Sequence, residues 1–302
     1  MATEMNQMIS IQGFLLRACL RLRKAGTDWD APVEKWRTRM EWSDRLIKLP
    51  REVTIKPDLA DGIPVEWITP PNASSQSVIF YIHGGAFIWG LYNVERQVAA
   101  HICQVAACRA LAVDYRLAPG HLFPAGLEDC LTAYRWLLKN GISPRDIVIA
   151  GFSAGGNLTL ATLLSLRDAG DPLPAAAVCI SPLTDLEGTG ESFRTKQDPA
   201  LSGRFVLTTS RYYAGGQDLR LPLLSPHYGD LRGLPPLLIQ VGDDEILFSD
   251  AIRLADHARA ADVNVNLVIW QKMWHGWHLF APTLPEARQA INEIGDFIRE
   301  HI

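Results

Sequence analysis

The sequence predicts an α/β protein: a mostly parallel central sheet of about eight strands, with helices on both faces and a helical cap over one end. Two observations carry this. Six short, continuously apolar runs recur along the chain: SVIFYIH, ALAVDY, DIVIAG, AAVCIS, PLLIQVG and VNLVIW. Helix-length segments separate most of them, near 93–108, 124–139, 154–170 and 249–262, and a last one lies near 283–300. Strands apolar on both faces, alternating with helices, belong to parallel sheets buried between two helical layers.

The elements follow in order. Residues 3–24 read as one amphipathic helix packed on the body of the protein. Glu4 precedes its apolar stretch, and Arg17, Arg21, Arg23 and Lys24 fall within or after it, which is the reverse of a signal peptide. The segment APVEKWRTRMEWSDRL, with Pro32 near its start, reads as a second helix. REVTIK and IPVEWIT, separated by PDLADG, read as a hairpin or a pair of edge strands. The alternating pattern then runs to the end with one break. Residues 182–232 are rich in Gly, Pro and Ser, with one helical segment near 200–214. Insertions in α/β sheets lie beyond the strand ends, where ligands bind. Residues 1–45 are therefore expected to form an N-terminal cap segment and 46–302 the main domain, with 182–232 contributing to the cap.

Composition narrows the function. The chain has 302 residues, 48% hydrophobic and 21% charged, with a formal charge of −4 and no basic run. Nucleic acid and stable membrane insertion are not expected as partners. The five cysteines, Cys19, Cys103, Cys108, Cys130 and Cys179, show no metal spacing. They read as small apolar residues in a reducing, cytoplasmic setting, with a Cys103–Cys108 disulfide as the lesser alternative.

The chemistry centres on Gly151-Phe152-Ser153-Ala154-Gly155, a G-x-S-x-G match. It follows the strand DIVIA and opens a helix, which is the context the motif requires. The glycines allow a sharp turn that holds the Ser153 hydroxyl clear of the sheet. A serine hydroxyl is a poor nucleophile until a base takes its proton. His275, in KMWHGWHLF after the last predicted strand, is placed to do so, with His278 as the competitor. A carboxylate after the penultimate strand would orient that histidine. Asp243, Asp244, Glu245 and Asp250 all lie there, and position alone does not choose between them. The earlier stretch YIHGGAFIWG ends a strand in His83, Gly84, Gly85 and Ala86. Backbone N–H groups of such a loop, with that of Ala154, form an oxyanion hole for acyl transfer.

HGGAF (83–87), DYRLAPGHLFPAGLEDC (114–130), GFSAGG (151–156), SPLTDL (181–186), VGDDEIL (241–247) and MWHGWH (273–278) together resemble the hormone-sensitive-lipase-like branch of the α/β-hydrolases. The resemblance runs from about residue 60 to the end. It implies the α/β-hydrolase fold and no cofactor. It implies Ser153 as nucleophile, His275 as base, Asp244 as acid, and Gly85, Ala86 and Ala154 as oxyanion donors. Three positions depart from the family pattern: Ala86 for a third glycine, Phe152 before the nucleophile, and Gly120 for a glutamate. The implied activity is hydrolysis of short- to medium-chain carboxylic esters. Lactone or amide hydrolysis uses the same groups, and a non-catalytic receptor on this fold is a different class, one that lacks the histidine. Phe87, Trp89, Phe205 and Tyr213 are the expected pocket side chains. The expected partner is a small ester, and a homodimer is allowed as the assembly.

Overall fold

The computed structural model describes residues 3–5, 9–71 and 73–302. Its strands are β1 (Thr3–Met5), β2 (Thr54–Ala60), β3 (Ile63–Thr69), β4 (Ser74–Ile82), β5 (Cys108–Val113), β6 (Ile147–Phe152), β7 (Ala176–Ile180), β8 (Leu237–Gly242) and β9 (Val265–Trp270). They form one sheet in the order β1-β9-β8-β7-β6-β4-β5-β3-β2. Among the described residues only the β2–β3 and β3–β5 pairs are antiparallel, so β3 alone runs against the other strands. The α-helices are α1 (Ile11–Ala25), α2 (Val33–Asp44), α3 (Asn93–Ala106), α4 (Ala125–Lys139), α5 (Ala154–Ala169), α6 (Ser192–Thr195), α7 (Gly203–Ala214), α8 (Phe248–Ala260) and α9 (Pro285–Arg299).

The strand period of two sorts the core into layers. Val78, Phe80 and Ile82 of β4 pack in one buried cluster with side chains of α4, α5 and α8. Ile79 and Tyr81, pointing the other way, join a second cluster with α3 and α9. Central strands are therefore apolar at every position, as the continuous runs in the sequence require.

Two boundaries differ from expectation. Thr3–Met5 is a strand pairing parallel to β9, not the start of a helix. The helix begins at Ile11, where the Ser10 hydroxyl accepts from Gly13 N and caps it. Residues 6–8 of the expected helix lie outside the described residues. Three polar-to-mixed residues in an edge strand carry no periodic signal, so pairing with β9 decides their conformation. In the hairpin, only Asp61 and Gly62 turn, both at positive φ, while the preceding PDLA continues β2. That is the two-residue turn favoured by strand twist.

All five cysteines are free thiols, and Cys108 starts β5 rather than sharing a helix with Cys103. Among the described residues, no helix is long and apolar enough to cross a membrane.

Candidate active site

The carboxyl ends of β6, β8 and β9 converge. At the end of β6 the chain turns sharply into α5, with Ser153 at φ 55° and ψ −114°. A non-glycine residue held there costs about 1–3 kcal/mol, which the surrounding packing must offset. The glycines are sterically required. A Cβ on Gly155 would lie 2.0 Å from the Ile82 carbonyl oxygen, and one on Gly151 would lie 2.2 Å from the Gly155 oxygen. The turn thus presses directly against the end of β4.

His275 follows β9. Its Nε2 lies 3.0 Å from Ser153 Oγ. Its Nδ1 lies 2.9 Å from Oε2 of Glu245. The ring stacks against Phe152, with centroids 5.0 Å apart. Glu245 is fully buried. Its other oxygen accepts from Ser181 Oγ and from Gly242 N, both at 2.7 Å. Both carboxylate oxygens are therefore held, and one is aimed at the imidazole.

The expected acid, Asp244, is a correction: it does not reach His275. The N–H groups of Asp243 and Asp244 donate to the carbonyls of Trp270 and Met273. This pins the first two residues of the turn to the β9 loop and sends their side chains outward. Asp244 pairs with Arg17 of α1. Asp243 accepts from Lys272 N. The third residue of the turn, Glu245, folds back beneath the histidine, its N–H donating to Gly242 O. Asp250 is buried elsewhere, accepting from the N–H groups of Thr184 and Asp185, and burial pushes its carboxyl up to about 7. His278 faces away. Its Nε2–H donates to Gln240 Oε1 at 3.0 Å, and burial lowers it to about 3.

The glycine loop after β4 lies beside the serine. Gly85 and Ala86 both take positive φ, 113° and 52°. Their N–H groups, and that of Ala154, find no acceptor among the described residues. Gly84 differs from expectation. Its N–H donates to the buried carboxylate of Glu95 at 3.3 Å, so it is already committed. Glu95 also accepts from Tyr81 OH at 2.6 Å, and burial raises its carboxyl to about 7. His83 lies buried behind the loop. Its Nδ1–H donates to Gly84 O, its ring stacks on Tyr115 at 4.2 Å, and burial lowers it to about 4. It is a neutral brace for the loop.

A cavity of about 400 Å³ opens onto Ser153, His275 and Gly85. Trp89 and Phe205 line it as expected, stacked at 5.3 Å, and Trp36 of α2 packs against both. Phe87 and Tyr213 do not line it. They stack on each other at 3.9 Å and 3° inside the core, because each ring covers the other's apolar face more completely than the cavity would. Leu201, which the sequence did not single out, forms part of the wall. So α1, α2 and the inserted segment meet over the serine, joined by Lys24, whose ammonium donates to the carbonyls of Asp198 and Leu201.

Comparison with known proteins agrees with this fold. Residues 79–279 match a family model described as the alpha/beta hydrolase fold. An acetyl-hydrolase of Streptomyces hygroscopicus is 43% identical over 236 residues, covering 78% of this chain and 79% of that protein. An esterase of Acinetobacter venetianus is 37% identical over 257 residues, 84% of each. Among solved structures, an esterase from the bacterial hormone-sensitive lipase family superposes with a TM-score of 0.93 at 42% identity, over 98% of this chain and all of that one.

Proposed function

We propose that this chain, which belongs to the α/β-hydrolase family and is an ester hydrolase of its bacterial hormone-sensitive-lipase branch, cleaves short- to medium-chain carboxylic esters through an acyl-enzyme on Ser153. The observation that carries the reading is the line of contacts Ser153 Oγ–His275 Nε2, 3.0 Å, and His275 Nδ1–Glu245 Oε2, 2.9 Å.

Ser153 Oγ attacks the ester carbonyl while His275 Nε2 takes its proton. Negative charge gathers on the carbonyl oxygen. The N–H groups of Gly85, Ala86 and Ala154 stabilise it, each such donor being worth about 3–4 kcal/mol. The Ala154 N–H also sits at the positive end of α5. His275 then gives its proton to the departing alcohol. Water repeats the cycle on the acyl-enzyme: His275 takes a proton from it, and Ser153 leaves with that proton as the carboxylic acid is released. Glu245 holds the imidazole in the tautomer with the proton on Nδ1 and stabilises the imidazolium. The N-terminal helices and residues 182–232 act as the cap, and the Trp36, Trp89 and Phe205 wall receives the apolar part of the substrate.

Steady-state rates on 4-nitrophenyl esters from acetate to decanoate test this. Turnover is expected on the shorter chains, and Ser153→Ala should lose several orders of magnitude in kcat while remaining folded. Near-normal turnover by Ser153→Ala would refute the mechanism.

A further inference from the structure

Beside the three reacting side chains lies a second buried carboxylate that the mechanism above does not use. Asp198, in the inserted segment, is 1% exposed. Its Oδ1 accepts from Ala200 N at 2.8 Å and Leu201 N at 3.1 Å. Its Oδ2 accepts from the backbone N–H of His275 at 3.2 Å, across 77 residues of sequence. Its own carbonyl and that of Leu201 accept from Lys24 Nζ of α1, at 2.6 and 2.7 Å. One short turn therefore touches the N-terminal helix, the cavity wall at Ala200 and Leu201, and the base itself.

We propose that Asp198 is a positioning residue for the base: it fixes the His275 loop through the backbone N–H and, when ionised, favours the positive charge that the imidazole acquires during turnover. The proposal rests on the reading of His275 as base.

The turn alone does not explain the residue. A turn of this kind needs one oxygen and the two N–H groups at 200 and 201. The second oxygen is free to face elsewhere, and it faces His275. Leaving a buried carboxylate without a side-chain cation is costly, and its conspicuous return here is a negative group beside a ring that cycles through a cation. Burial pushes the Asp198 carboxyl up to about 6. The attraction of His275 and the two turn N–H groups work against that rise, and Glu245 reinforces it. The other ionisable groups close enough to feel the His275 charge are Glu245 on Nδ1, Glu95 behind the glycine loop, and His278 on its own loop, whose ring turns away. Lys24, whose ammonium donates to the carbonyls of Asp198 and Leu201, feels the Asp198 charge.

Asp198→Asn separates the two roles. The amide oxygen can keep the turn, but the amide nitrogen then sets a donor against the His275 N–H, and the charge is gone. On 4-nitrophenyl butyrate, kcat at pH 8 should fall by about 10- to 100-fold with KM within about two-fold, the range typical of a misplaced supporting group. The acid limb of kcat/KM should move to lower pH, a change that a merely structural defect would not produce. A folded Asn variant with unaltered kcat and an unmoved acid limb would overturn the proposal. Should that variant not fold, Lys24→Met decides. Loss of the ammonium makes Asp198 harder to ionise, so the deficit in kcat should be greater at pH 6.5 than at pH 8.5. A deficit equal at both pH values, or none, would overturn it. Ser153→Ala and His275→Ala are run alongside. If those two kept turnover, the mechanism itself would fail, which is distinguishable from an inert Asp198.

Discussion

The strand ends and the helices that roof them are held in different ways. All six residues of β6 and all six of β8 are buried, and the turns that follow them are locked by backbone contacts as short as van der Waals distances allow. The roof is looser. Helix α1 buries only Gly13 and Leu20, and leaves Ile11, Phe14, Leu15 and Leu22 exposed. It is fastened by a few polar contacts: Ser10 to Glu286, Arg17 to Asp244, and Lys24 to the 198–201 turn. Ser153 and Glu245, the proposed nucleophile and acid, therefore sit where packing tolerates no shift. Helix α1, which closes one side of the cavity, can move or vary at smaller energetic cost.

That contrast can be broken most forcefully at Gly155. Gly155→Ala places a methyl group against the Ile82 and His83 carbonyls, and backbone cannot give way as a flexible side chain can. We expect no folded enzyme, read as loss of soluble protein or of the cooperative transition in circular dichroism. A folded, active alanine variant would show that the strand ends are far softer than described.

A smaller effect sharpens the electrostatics of the same region. The buried Glu95 carboxyl is raised to about 7 from an ordinary 4.5. A group whose folded pKa is raised adds stability below the unfolded pKa and loses it as pH climbs through the folded one. Between pH 5 and pH 8 this residue should cost about 2–3 kcal/mol of stability. Urea unfolding at both pH values should show a shallower decline for Glu95→Gln than for the parent protein; parallel declines would contradict the assignment.

On the aromatic wall beneath the roof, away from the 198–201 turn, effects should be confined to substrate choice. Phe205→Leu thins the aromatic wall. The ratio of kcat/KM on octanoate to that on acetate should fall several-fold, with acetate turnover nearly preserved, since the lost apolar contact is worth about 1 kcal/mol. An equal loss on both esters would mean the Phe205 wall shapes the reacting groups as well. Weakest of all should be Arg17→Gln. Its pair with Asp244 is half-buried at the edge of the roof, and ion pairs that keep contact with solvent contribute about 1 kcal/mol or less. Thermal unfolding should shift by a few degrees at most, and kcat should stay within about two-fold.

Much of the strand-end region was legible in the sequence. Continuous apolar runs named the central strands, and G-x-S-x-G in its strand–helix setting named the turn, because backbone geometry restricts which residues can stand there. The resemblance pointed to Asp244, one residue away from the carboxylate that meets His275, for the opposite reason. Asp243, Asp244 and Glu245 have interchangeable chemistry, and the choice is made by the N–H groups of the first two, which bond to carbonyls of a loop about thirty residues downstream. No local pattern records that. Phe87 and Tyr213 failed similarly: aromatic composition says that rings are buried, but the partner each ring finds is a tertiary matter. Asp198 was hidden in a Gly/Pro/Ser-rich stretch, where an aspartate reads as an ordinary turn residue.

The central claim is that Glu245, not its neighbour Asp244, orients the base. Steady-state kinetics on Glu245→Gln and Asp244→Asn, each checked for folding by circular dichroism, tests it directly. Replacing the acid by its amide in such a triad favours the wrong histidine tautomer and lowers kcat by about 10⁴. That loss is expected for Glu245→Gln, with Asp244→Asn remaining within a few-fold of the parent enzyme. A large loss in Asp244→Asn beside a nearly normal Glu245→Gln would contradict the account.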